Sequence, residues 1–209
     1  MNTTPTPDPP AMRQLLRDCI RDSSRIIAAL ENQLPVIEQI AAAITDALLE
    51  GHKLLTAGNG GSAAEAMHLA QEITGKYSRP DRRALPAICL ASDGTALTCI
   101  GNDWDFATVF ARQVEALAAP HDILVIFSSS GQSQNLIRAT RAMHQTQGRV
   151  IGLLGKGGGE NLGLCDLAVV VPSQRTAPIQ EAHQVILHLI LEYLEARCAA
   201  TGSDTPSCS

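Results

Sequence analysis

Four hydroxyls crowd the six positions Ser128-Ser129-Ser130-Gly131-Gln132-Ser133, directly after the apolar run 122–127 and before a stretch with helical spacing. Such a turn offers side-chain donors together with the unpaired N–H groups and partial positive charge of a helix amino end, a setting suited to a phosphate dianion. A helix cap would account for Ser130 or Ser133 alone; it leaves the other hydroxyls without a purpose. A second turn, Gly58-Asn59-Gly60-Gly61-Ser62, follows the short apolar run 53–57. It lacks the Lys-Ser/Thr ending of a P-loop and the spacing of a dinucleotide fingerprint. Its glycines let a ligand come close to the backbone, and Asn59 and Ser62 can donate to sugar hydroxyls or to phosphate.

His68 and Glu72 stand at i and i+4 on the segment after that turn. On a helix they share one face a turn apart, a spacing that fits two ligands of one divalent ion but is more often a surface hydrogen bond. Near the other end of the chain, Gln180, Glu181, His183, Gln184 and His188 punctuate an otherwise apolar helical stretch. Satisfied polar groups at a subunit interface would explain them as well as a site would. Arg79, Arg82 and Arg83 make the one dense basic patch, read first as a solvated loop and second as a substrate or partner surface.

The elements that must position these residues alternate along the chain. Two amphipathic helices in a hairpin are expected over Met12–Leu49, with a break near Gln33–Pro35. Strands are expected at 53–57, 87–91, 122–127, 150–154 and 167–171, and helices at 62–74, up to about 118, up to about 146, and at 179–197. Near-continuous apolar strands alternating with helices imply a parallel sheet covered on both faces. Such sheets bind ligands beyond the carboxyl ends of their strands, where both Gly/Ser turns stand. Residues 1–9, rich in Pro and Thr, and 199–209, small and polar, are expected to be disordered, leaving residues 10–198 as one domain.

With 209 residues, 45% apolar and 18% charged, the chain can bury one sizeable core. Aromatics make up only 3%, so that core must be built from Ala, Leu, Ile and Val. A net charge of -5 gives no reason to expect nucleic acid. No apolar run reaches the roughly 18 residues of a membrane span, and the first residues, MNTTPTPDPP, have neither the basic start nor the apolar stretch of a secretory signal. The six cysteines lack metal-ligand or disulfide spacing, the usage of a reducing compartment. A cytoplasmic protein, away from nucleic acid and membrane, is expected.

At these residues the sequence resembles the phosphoheptose isomerases of the sugar-isomerase (SIS) type. The run Ala57–Tyr77, then Ile100-Gly101-Asn102-Asp103, the serine turn, and Ile179-Gln180-Glu181 through His188 look like the family's successive signatures, in order, over residues 12–197. The resemblance implies an α/β three-layer sandwich of flavodoxin type with a five-stranded parallel sheet, a homotetramer with active sites near subunit boundaries, and one zinc ion per subunit. Carried over position by position, the metal ligands are His68, Glu72, Gln180 and His188. Contacts to the sugar phosphate come from Asn59, Gly60, Gly61, Ser62, Glu72, Asn102, Asp103, Ser128, Ser129, Ser130, Ser133 and Gln180. The family reaction interconverts sedoheptulose 7-phosphate and D-glycero-D-manno-heptose 7-phosphate, at the entry to heptose synthesis for lipopolysaccharide. Lys76 stands where Arg is usual, Ser129 where Thr is usual, and Thr176-Ala177-Pro178 departs from Thr-Pro-Arg; these changes bear on substrate detail.

An aldose–ketose isomerisation needs a base beside the carbon and an acid near the oxygens; Glu72 is the expected base and His188 the expected acid. Gln180 and His188 are eight residues apart, about 12 Å along an unbroken helix, so one metal would join them only across stretched side chains, a distorted first turn, or a subunit boundary. The rival reading is a non-catalytic protein of the same fold, a phosphosugar sensor or partner-binding regulator. The presence of both Glu72 and His188 favours the enzyme.

Overall fold

The computed structural model describes residues 8–201. Its five strands form one parallel sheet in the order β2-β1-β3-β4-β5: β1 Leu54–Gly58, β2 Ala87–Cys89, β3 Ile123–Ser128, β4 Arg149–Leu154 and β5 Leu167–Val170. Each lies within a residue or two of its expected run. Successive side chains point to opposite faces of a strand, and here both faces are buried. Ile123, Val125 and Phe127 enter one core, while Leu124 and Ile126 enter the other. That is why β3 reads as an unbroken apolar run and not as an alternation.

The first core is closed by α1 (Pro9–Ala28), α2 (Leu34–Leu49), α3 (Gly61–Thr74) and α8 (Thr176–Thr201). The second is closed by α4 (Gly94–Asp103), α5 (Ala111–Leu117) and α6 (Gln134–Gln145); a short α7 (Gly159–Leu162) precedes β5. Both cores are built mainly from Ala, Leu, Ile and Val, with Phe110 and Phe127 as their buried aromatics. Between α1 and α2 a 3-10 turn, Ala29–Gln33, occupies the expected break, and both helices lean on α8. The amino-terminal part of α1 contributes little: Met12, Leu15, Leu16 and Ile20 are exposed, and Ile26 is its one buried residue.

The domain is slightly longer than expected at each end, because α1 already begins at Pro9 and α8 runs on to Thr201. The remainder of the two expected disordered ends lies outside the described residues. Among the described residues no helix is long and apolar enough to cross a membrane.

β1 and β3 are neighbours, yet the helices that follow them diverge. α3 packs into the first core through Ala66, Leu69 and Ile73, and α6 into the second through Leu136, Ala139 and Met143. A crevice must open where the two connections part, beyond the carboxyl ends of those strands. The Gly58–Ser62 and Ser128–Ser133 turns form its two lips.

Candidate active site

The serine turn leaves β3 through Ser128, whose buried Oγ accepts from the Gly131 N–H at 2.9 Å. Gly131 holds φ at +64°, and a Cβ there would lie 1.8 Å from the carbonyl oxygen of Gly158. The turn is therefore pressed backbone to backbone against the Gly157–Gly159 loop, a contact that only glycine permits. The Asn161 side chain, fully buried, donates to the Gly131 carbonyl at 3.1 Å and fixes it from below. Ser133 is the N-cap residue of α6 but its side chain makes no capping bond, so capping does not explain it. The hydroxyls of Ser129 and Ser133 have no hydrogen-bond partner among the described residues, and Ser130 accepts only a long 3.3 Å bond from the Gln132 N–H. Together with Asn59, Ser62 and Phe127 the four serines line a polar cavity of about 60 Å³.

On the other lip, Gly60 caps α3 with φ +56° and no side-chain bond. A Cβ at Gly58 would meet the Ser62 carbonyl oxygen at 2.3 Å, and one at Gly61 would meet Gln180 Nε2 at 2.5 Å. Asn59 and Asn135 exchange amide hydrogen bonds at 2.9 and 2.8 Å, tying the two lips together. Asn135 is buried and escaped the sequence reading; a polar residue on the inward face of α6, one turn from four hydroxyls, was its signal. Both helix amino ends thus present uncapped N–H groups and a positive dipole end to one small polar cavity.

Away from the crevice, α3 and α8 run side by side in the same direction, and polar residues meet in register along the seam. Gln180 Nε2 donates to Ser62 Oγ at 3.4 Å, Glu65 faces His183, and His68 Nδ1 meets Gln184 Oε1 at 3.0 Å. Further along, His68 Nε2 is 3.4 Å from Glu72 Oε1. The His188 ring stands edge-on to His68 at 5.3 Å and stacks on Tyr77 at 5.9 Å. The other Glu72 oxygen, Oε2, is buried with no partner among the described residues. Tyr77 donates to Glu192 at 3.0 Å; burial first, and then that neighbour, push its phenol above the ordinary range. The far end of the seam is closed by Glu195, which accepts from the Ser78 and Arg79 N–H groups at 3.1 to 3.4 Å.

The basic patch is a correction. Arg82 is buried, not solvated: its guanidinium donates to the carbonyls of Glu72 (2.7 Å), Ile73 (3.0 Å), Gly75 (3.2 Å) and Arg83 (2.8 Å) and pairs with Glu195 at 3.4 Å. It satisfies the orphan carbonyls at the end of α3, directly behind Glu72. Arg79 instead pairs with Asp81 on the surface.

The expected site residues fall into three places. Asn59, Ser62, Ser128, Ser129, Ser130 and Ser133 share the polar cavity, with Gly60, Gly61 and Gln180 at its rim. His68, Glu72 and His188 gather in the seam. Asn102 and Asp103 end α4, exposed and hydrogen-bonded to each other at 2.9 Å, and line neither place.

Comparison with known proteins agrees with this architecture. Residues 19–155 match the SIS domain family. The chain is 48% identical over 161 residues, 77% of its length and 85% of the relative's, to the phosphoheptose isomerase of Pelobacter propionicus. It belongs to the phosphoheptose isomerases. Solved phosphoheptose isomerases from Francisella tularensis and Neisseria gonorrhoeae superpose with TM-scores of 0.86 and 0.83, at 32% and 36% identity, over 88% of this chain and 98% and 99% of theirs. As a phosphoheptose isomerase it is an enzyme, and a sugar phosphate substrate is consistent with that membership.

Within one subunit the four expected zinc ligands are not gathered into one set. His68, Glu72 and His188 are donors of the kind zinc takes. Among the described residues, however, no three His, Cys, Asp or Glu side chains are placed to hold a metal ion. Gln180 sits with Ser62, six residues and about 9 Å up α3 from His68. It lies within the regular helix α8, so a distorted first turn does not bring it closer to His188.

Proposed function

We propose that this chain interconverts sedoheptulose 7-phosphate and D-glycero-D-manno-heptose 7-phosphate, with Glu72 as the carbon base and His188 as the oxygen acid. The observation that carries the reading is the seam: a carboxylate with one buried, unpartnered oxygen lies in the same polar cluster as an imidazole that reaches it through His68. Starting from the ketose, Glu72 takes a proton from C1 while His188 gives one to the C2 oxygen, which leaves an enediol. His188 then recovers a proton from the C1 hydroxyl, and Glu72 returns its proton to C2. The aldose forms and both residues end as they began.

Distance supports a composite site. Ser62, in the polar cavity, and Glu72 lie ten residues apart on α3, about 15 Å along its axis. That exceeds the extended carbon chain of a heptose phosphate. We therefore take the serine turn of one subunit to face the Glu72–His188 seam of another in a homotetramer, with the exposed Leu15, Leu16 and Ile20 of α1 among its contacts. Zinc belongs to the same proposal: ligands gathered from more than one subunit would include His68, Glu72, His188 and Gln180, and a bound ion would polarise the carbonyl. Asn102 and Asp103 would join the site by the same route. A cytoplasmic enzyme supplying heptose synthesis is the physiological reading, in line with unpaired-cysteine usage and a sugar phosphate substrate.

The test is an isomerase assay of the wild type beside Glu72→Gln and His188→Gln, with metal analysis and a measured oligomeric state. A loss of about 10² or more in each variant is expected. Near-normal turnover in Glu72→Gln removes the role given to it.

A further inference from the structure

Glu65 and His183 are among the most deeply buried ionisable groups of the protein, with 3% and 0% of their surfaces exposed. Glu65 Oε2 and His183 Nδ1 are 3.6 Å apart across the α3–α8 seam. None of their four polar side-chain atoms has a hydrogen-bond partner among the described residues. The His183 ring also packs edge-on against Phe127 at 6.0 Å, the residue that precedes Ser128 and helps line the phosphate cavity.

A buried carboxyl–imidazole pair in such a place is poorly explained by stability, because well-packed apolar side chains often do as well or better. What it supplies is a unique register. Ala66, Leu69 and Ile73 of α3 and Ile186, Leu187 and Ile190 of α8 belong to the same apolar core, and apolar side chains tolerate a small slide of one helix past the other. Between the Gln180–Ser62 and His68–Gln184 contacts, Glu65 and His183 are the deeply buried polar pair of the seam, and a buried polar pair penalises the registers that would part it. Glu65 lies two turns before Glu72 on the same face of α3, and His183 lies just over one turn before His188 on α8.

We propose that Glu65 and His183 are a buried positioning pair, which holds α3 and α8 in register so that Glu72 and His188 meet at the reacting carbons. Neither touches substrate. The inference rests on the acid–base roles proposed above, since it is their geometry that the pair maintains. A misplacement near 1 Å is enough to cost on the order of a hundredfold in rate. The serine turn is held independently by Gly131 and Asn161, so substrate affinity should fall far less than kcat, although Ser62 and Gln180 ride on the same two helices.

Three variants test this: Glu65→Gln, the apolar double Glu65→Leu/His183→Leu, and the exchanged pair Glu65→His/His183→Glu. Each is assayed for kcat, for KM with sedoheptulose 7-phosphate, for inhibition by inorganic phosphate, and for thermal unfolding. The apolar double fills the space and removes the buried polar atoms, so it keeps the question open to test should Glu65→Gln fail to fold. The expected result for it is a cooperative unfolding transition at or above that of the wild type with kcat down roughly tenfold to a hundredfold and KM and phosphate inhibition altered far less than kcat. The exchanged pair should recover kcat. Wild-type kcat in the apolar double, or a loss shared equally by kcat and phosphate affinity, overturns the proposal. Glu72→Gln is run alongside. Full turnover there overturns the acid–base reading itself, whereas full turnover in the apolar double with Glu72→Gln inactive overturns the register pair alone.

Discussion

Replacing Gly131 by alanine places a methyl group where the backbone of another loop already stands. The added Cβ would lie 1.8 Å from the Gly158 carbonyl oxygen, and real Cβ atoms do not come within 3.0 Å, so one backbone must shift by about 1.2 Å. The residue also sits at φ +64°, which costs an L-residue about 1–2 kcal/mol. The shift moves the serine turn, to which we assign the phosphate, and a displacement of this size costs about a hundredfold, or ~2.7 kcal/mol. We expect Gly131→Ala to raise KM for sedoheptulose 7-phosphate, and the inhibition constant of inorganic phosphate with it, by about that factor, while kcat at saturation changes far less. Gly157→Ala is the control: φ is +82° but no atom lies within 4 Å of its Cβ, so it bears the left-handed penalty without the collision. Its KM should stay near wild type. A Gly131→Ala enzyme with unaltered KM would refute the view that the turn is held rigid by that backbone contact.

Arg82→Met leaves Glu195 buried without its cation and uncaps the carbonyls at the end of α3, so a loss of about 3–5 kcal/mol is expected in denaturant unfolding. Glu195 also predicts a pH dependence. Burial raises its pKa, but bonds from Ser78, Arg79 and Arg82 outweigh burial and hold it below the ordinary value of 4.5. A lowered folded value stabilises the protein above that ordinary pKa and ceases to do so as pH falls through the lowered one; chemical denaturation at a series of acid pH values should show this decline, and Glu195→Gln should flatten it. Tyr77→Phe keeps the stack on His188 and loses only the bond to Glu192, so kcat should fall less than in Tyr77→Ala, which removes both. Burial pushes the Cys165 thiol up to about 12, so at pH 8 it should resist a maleimide in the folded enzyme and react once unfolded, as read by mass spectrometry.

Much of the fold was legible because burial on both faces writes itself into a strand: 123–127 is apolar without a break for the same reason that it lies at the centre of the sheet. The serine turn was legible because four hydroxyls after such a strand have few other uses, whereas the Gly58–Ser62 turn alone reads equally as a plain tight turn. What stayed hidden was pairing across the chain. Nothing in the local pattern of Arg82 separates a solvated cation from one that caps α3 and pairs with Glu195, more than a hundred residues away. The same holds for Asn135, whose partner is Asn59, and for Glu65 and His183. Spacing along α8 did raise the separation of Gln180 from His188, and α3 beside it explains the outcome: parallel helices pair like with like, so Gln180 matches Ser62 while His188 lies level with the Glu72 end.

The length of α3 between Ser62 and Glu72 has a genetic corollary on the composite reading. A chain damaged in its hydroxyl turn and a chain damaged at its carboxylate each keep the half that the other has lost. Dissociated and reassembled together, two inert preparations should heal one another in a fraction of their sites, and diluting the enzyme below its assembly threshold should silence healthy chains as surely as a mutation does.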